Sequence, residues 1–148
     1  MVPILYEENR MKATFCGILG VAGAAIAASL GGWDMALQTL CIFMAIDYCS
    51  GVIVAAVFKA SPKTDSGALE SRAGLKGLLR KVAMLCAVLM AYYLDQVAGT
   101  DFVRDATCLA FVCNEALSIV ENFGLMGVPI PEAITNAIDV LKGKKDAK

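Results

Sequence analysis

The sequence predicts an all-α protein: a multi-pass transmembrane helical bundle of about four spans, followed by a C-terminal amphipathic helix and working as an oligomer. Three observations predict it. The composition is 58% hydrophobic and only 18% charged, where an ordinary soluble domain carries about 25% charged residues. Mean hydropathy is +0.66. The basic residues are segregated: none lies between Lys12 and Lys59, six of the thirteen fall between Lys59 and Lys81, and four of the last seven residues are Lys. Such punctuation divides 148 residues into apolar stretches of roughly bilayer length.

The elements follow in chain order. Residues 1–12 are mixed, with Glu7, Glu8, Arg10 and Lys12, and suit a short helix at the membrane surface. Residues 13–31 are uncharged. As a helix they extend about 28 Å, close to the ~30 Å hydrocarbon thickness, and form span one. A signal peptide is the competing reading, because basic residues precede the run and small residues close it. Gly31-Gly32-Trp33-Asp34 is a turn whose Trp suits the interface. Residues 35–58 form span two, interrupted only by Asp47.

A basic polar loop is expected over 59–81, with turn chemistry at Ser61-Pro62 and Ser66-Gly67. Span three covers 82–98. It is short, and Arg80 and Lys81 are expected to snorkel at one end while Asp95 and Gln96 approach the interface at the other. Gly99-Thr100-Asp101 turns the chain into a weaker span four, 104–120, stopped by Gly124, Gly127, Pro129 and Pro131. Over 131–142, Ile134, Ile138 and Leu141 recur at helical spacing, predicting an amphipathic helix on the membrane surface before the Lys-rich tail. With the basic loop and tail inside, both termini are cytoplasmic. The whole chain is one integral-membrane domain, 1–148.

Several function classes are disfavoured. Acids and bases offer no basic face, so no nucleic-acid partner is expected. The chain has no His, the commonest general base, and no recognisable nucleophile motif, so it is not expected to be an enzyme or to hold a cofactor. Cys16, Cys41, Cys49, Cys86, Cys108 and Cys113 lie in apolar stretches without CxxC spacing. They read as small buried hydrophobes, not metal ligands or disulfides. The expected partners are the lipid bilayer and further copies of the chain.

The candidate functional residues are those that do not belong in lipid. Gly20, Ala24 and Ala28 form a small-residue face on span one, which lets helices approach closely, either within the chain or between copies. Asp47, at the middle of span two, costs roughly 2.5–3.5 kcal/mol on insertion scales. It must face protein or water, and Gly51 and Ala55 on the same face place it in a packed seam. A protonated side chain bonded to a neighbouring helix and a trigger position in an assembly both remain open.

On span four, Arg104, Thr107, Asn114, Glu115, Ser118, Glu121 and Asn122 fall within an arc of about 120°. A single thin bundle is expected to leave many of these groups unpaired, whereas an oligomer can line a water-filled passage with Asn114, Glu115, Ser118 and Glu121. A helix half-submerged at the interface is the alternative.

The chain also resembles the toxin-secretion and phage-lysis holins. The residues that carry the resemblance are Asp47-x3-Gly51-x3-Ala55, Ser71-x2-Gly74-x-Lys76 leading to Lys81, and above all the run Asn114 to Asn122 continuing to Gly127-x-Pro129-x-Pro131. It covers about residues 13 to 142. The resemblance implies a bacteriophage protein that accumulates in the bacterial host's cytoplasmic membrane and oligomerises into a lesion or pore. It implies an endolysin as functional partner, released or activated for host-cell lysis, or export of a toxin or other protein. The competing function is a membrane anchor or scaffold that recruits a cytoplasmic partner without permeabilising anything.

Overall fold

The computed structural model describes residues 2–64 and 66–141, and among these the secondary structure is entirely helical. The Lys-rich tail and Asp65 lie outside the described residues. The chain divides into two compact units, residues 1–33 and 34–148.

The first unit is one helix, α1 (Val2–Ser29). It is not broken into a surface helix and a span: the stretch expected to lie along the membrane continues directly into the apolar run. Lys12 pairs with Glu8 one turn away, at 2.6 Å. The helix ends because Gly31 and Gly32 take positive φ angles of 93° and 106°. There the Gly32 N–H returns to the Ala27 carbonyl at 2.9 Å, satisfying a carbonyl the helix leaves open.

The second unit begins with Asp34, whose carboxylate accepts from the Leu37 N–H at 2.9 Å and caps α2 (Met35–Ile53). A single π-helical segment, Val54–Phe58, continues it. Lys59 ends this segment in the left-handed region, and the connecting loop closes with Ser61 N–H donating to Gly67 O at 3.0 Å. Gly67 is required there. A Cβ would stand 2.2 Å from the Lys59 carbonyl oxygen.

Next comes α3 (Ser71–Ala98), so the second half of the expected loop, Ser71 to Lys81, is helix. Net charge marked it as loop, but Gly74 and Gly77 lie on one face and pack against Tyr48 of α2. After Gly99, α4 runs from Val103 to Leu125. A glycine-dependent stop at Gly127 leads to α5 (Glu132–Leu141). Four helical stretches, Glu7–Ser29, Met35–Phe58, Ser71–Ala98 and Val103–Leu125, are long and apolar enough to cross a membrane.

Helices α2, α3 and α4 form a three-helix bundle, with α4 packed against both of the others and against α5. The buried residues recur at three- and four-residue steps: Leu37, Leu40, Met44, Asp47 and Ser50 on α2, Lys81, Met84, Val88, Ala91 and Asp95 on α3, and Arg104, Cys108, Val112 and Glu115 on α4. This is the spacing of knobs-into-holes seams. Ile138 of α5 is also buried. The cysteine expectation needs correction: all six are free, but Cys16, Cys49 and Cys86 are exposed. The outward face of a membrane helix is apolar as well, so an apolar stretch does not imply burial in protein.

Candidate functional site: charge layers at two levels of the bundle

The apolar middle of the bundle is bounded by polar residues at both ends. At the end near the Gly99 turn, the Arg104 guanidinium pairs with Asp34 and, at 2.9 Å, with Asp105. Asp95, at the end of α3, accepts the backbone N–H of Val103 at 3.1 Å and of Arg104 at 2.8 Å, together with the Thr100 hydroxyl. One carboxylate thereby closes the α3–α4 turn and satisfies donors that a helix start leaves open. The Arg104 guanidinium holds the Asp34 carboxyl below the usual carboxylate range; partial burial opposes this and the Leu37 N–H assists it.

Thirteen residues further along α2, or about 20 Å, lies the second layer. Lys81 of α3 donates to Asp47 of α2 at 2.7 Å and also pairs with Glu115 of α4. The Asn122 amide donates to Asp47 Oδ1 at 3.1 Å, to the Asp47 carbonyl at 3.3 Å and to Ser50 Oγ at 2.9 Å. Ser118 stands beside the same carboxylate. Asp47, Lys81, Glu115 and Asn122 are all buried. Among the described residues, no buried side-chain nitrogen or oxygen is left without a partner.

The cluster ties three helices together through one ammonium and two carboxylates. Isolated charges in a low-dielectric interior cost several kcal/mol each, and mutual attraction together with hydrogen bonds offsets that cost. Its formal charge is −1. A crevice of about 60 Å³ leads to it from the 59–70 loop, lined by Ser61, Lys63, Gly74 and Gly77 and reaching Asp47 and Lys81. That is room for water, which needs polar partners such as these.

The expected site residues separate into groups. Asp47 and Glu115 meet through Lys81, with Ser118 beside them. Gly51 faces the Asn122 amide, and a Cβ there would be in ordinary contact with it, 3.7 Å from its nitrogen. Asn114 and Glu121 are exposed, seven residues apart on the far edge of the polar arc. Gly20, Ala24 and Ala28 are exposed on α1.

Two expectations change. Lys81 does not snorkel: it points into the bundle, because two carboxylates from neighbouring helices outcompete the interface for its ammonium. The single chain also pairs more of the α4 arc than a thin bundle was expected to, since Arg104, Glu115 and Asn122 all find partners on α2 or α3. Arg104 and Asn122 of the expected α4 arc thus belong to the polar layers, together with Lys81, Asp34 and Asp95, which the sequence places at helix ends and turns. For Lys81 a signal existed, since it continues the register of Met84, Val88, Ala91 and Asp95.

The sequence profile described as the bacteriophage holin family matches residues 24–143. The chain belongs to this family. A probable holin of Bacillus phage phi105 is 34% identical to this holin-family chain over 113 residues, covering 76% of the chain and 78% of the phage protein. An uncharacterized 14.9 kDa protein from the nagH 3' region of Clostridium perfringens is 34% identical over 140 residues, 93% of the chain and 99% of that protein. An uncharacterized Listeria innocua protein is 35% identical over 129 residues, 86% of each. No solved structure matches. The profile begins at residue 24, inside α1. Both charge layers fall within the matched region, and with four apolar helices this holin-family chain is a membrane protein.

Proposed function

We propose that the chain is a working holin. It crosses the bacterial cytoplasmic membrane four times with both termini inside, self-associates, and opens a lesion that releases or activates an endolysin, or exports another protein. The observation that carries this reading is the exposure of Asn114 and Glu121 on the outer surface of a membrane helix whose inward polar groups are already paired. Lipid offers an amide or a carboxylate no hydrogen-bond partner, and a second copy of the chain does.

In the assembled state Asn114 and Glu121 line the contact or the passage, joined by Ser118. Asp47 and Glu115 act as the switch: held by Lys81 they are buried, and released from it they add two carboxylates to a wet lumen. Gly20, Ala24 and Ala28 provide close contact between copies, and Gly51 faces the Asn122 amide at the contact of α2 with α4.

Inducible expression with membrane-potential and leakage readouts tests the proposal. The wild type collapses the potential after a delay and lyses cells when an endolysin is present, whereas Asn114→Leu with Glu121→Leu accumulates in the membrane without lysis. A wild-type chain that accumulates and leaks neither dye nor protein is a scaffold, and the reading fails.

A further inference from the structure

We infer that the first three turns of α3 form a binding surface for the phosphate headgroups of anionic phospholipids. Arg72, Lys76 and Arg80 follow one another at four-residue steps on this helix. Each step advances 40° beyond a full turn, so the three side chains share an arc of about 80° and a length of about 12 Å. All three are exposed. None makes an ion pair among the described residues, whereas the adjacent Lys81 is committed to Asp47 and Glu115. The row is therefore three unneutralised cations beside one buried cation.

The length of α3 fixes where this row stands. Its 28 residues extend about 42 Å, some 12 Å beyond the ~30 Å hydrocarbon layer. With Gly99 at the opposite interface, the excess of about eight residues falls on 71–78, which places Arg72 and Lys76 in the headgroup zone on the loop side and Arg80 at its inner edge, within snorkelling reach of it. Its neighbours agree, because Leu75 and Leu79 are each 58% exposed along the adjoining edge of the same helix. Leu79, at the hydrocarbon edge, meets acyl chains below Arg72 and Lys76 at phosphate depth, so this end of α3 engages both parts of a lipid. The occupant is identified by charge complementarity: three cations on an outward face match the anionic headgroups of a bilayer leaflet. Two of them are Arg, whose guanidinium pairs with phosphate in a bidentate manner.

This inference rests on α3 crossing the bilayer, and the experiment separates the two. The full chain is reconstituted in phosphatidylcholine bilayers, and its association with spin-labelled phosphatidylglycerol is compared with that of spin-labelled phosphatidylcholine. The wild type prefers phosphatidylglycerol by roughly fivefold or more, about the contribution of one engaged basic residue, and the preference falls as salt rises. Arg72→Gln with Lys76→Gln and Arg80→Gln brings it close to parity, while Arg72→Lys with Arg80→Lys retains most of it.

A triple variant with the wild-type preference overturns the inference, as does a wild type with none. Arg72→Gln alone, at the helix end furthest from the buried Lys81, lowers the preference measurably, and serves where the triple variant fails to insert. In parallel, Ser66→Cys and Asp101→Cys are labelled with an impermeant maleimide above the background of the native cysteines. Labelling from opposite faces with no lipid preference removes only this inference; labelling from the same face removes the crossing of α3 as well.

Discussion

The two charge layers use the same three helices and the same chemistry, a cation held by carboxylates, yet they are built for different surroundings. Near the Gly99 turn, Arg104 is buried, but its partners Asp34 and Asp105 keep 46% and 63% of their side-chain surface exposed. Water completes that layer. On the loop side, Lys81, Asp47 and Glu115 retain 11%, 10% and 4%, so protein groups must satisfy nearly all of the charge, with room only for the water of the small crevice. The first arrangement fastens a turn and loses little when one carboxylate goes. The second is poised: one ammonium holds two carboxylates, and removing it leaves a buried double negative charge across two helices.

The largest effect should come from Lys81→Met. Breaking a buried pair by deleting one partner costs about 3–5 kcal/mol, chiefly because the other charge stays behind. Thermal unfolding in detergent, followed by thiol-dye labelling of the buried Cys108 and Cys113, checks this, and in cells the variant should accumulate poorly or permeabilise early. The contrast between the layers sharpens when Asp47→Asn and Glu115→Gln are added to Lys81→Met. The neutral cluster should recover most of the lost stability, since replacing a whole buried ion cluster is often close to neutral, yet it should no longer trigger on the wild-type schedule. Recovery of stability together with normal timing would remove the switch role and leave the cluster purely structural.

A smaller effect is expected from Asp95→Ala. Its carboxylate accepts two backbone donors at the start of α4, and losing them should speed amide exchange at Val103 and Arg104 roughly five- to tenfold, comparable to losing a helix cap. Exchange in the Met44 to Ser50 region should stay unchanged. If it also rises, the two layers are coupled and do not act separately.

What the sequence disclosed follows the same division. Apolar stretches and the gaps between basic residues disclosed the helices, because lipid dictates composition over twenty residues at a time. The partner of a buried charge is not a local property. Lys81 lies 34 residues from both Asp47 and Glu115, and only the packing of α2 and α3 against α4 brings them together. Read by distance from the helix end, Lys81 belongs to the interface; read by register with Met84, Val88 and Ala91, it belongs to the core. The start of α3 was hidden for a related reason. Arg72, Lys76 and Arg80 count as loop in a charge tally but as one helical face at four-residue spacing. The polar arc of α4 was visible as an arc, but its division between paired Glu115 and Asn122 and exposed Asn114 and Glu121 depends on where α2 and α3 stand.

The smallest effect is expected from Asp34→Asn, and its pH dependence completes the contrast. Asp34 titrates below the ordinary carboxylate range because Arg104 donates to its ionised form. Its folded-state value is therefore lower than its unfolded one. The stabilisation is fully present above the ordinary carboxylate range and disappears as pH falls through the lowered value. Nearly half of the side chain is exposed, so solvent screening leaves on the order of 0–1 kcal/mol, and 1 M salt should reduce it further. The wild type and Asp34→Asn should differ slightly at neutral pH and converge in strong acid, when compared by thiol-dye unfolding curves. Arg104 would still hold Asp105 in the variant, so the turn should remain closed. A loss as large as that of Lys81→Met would mean that water does not complete this layer and that the two ends of the bundle are built alike.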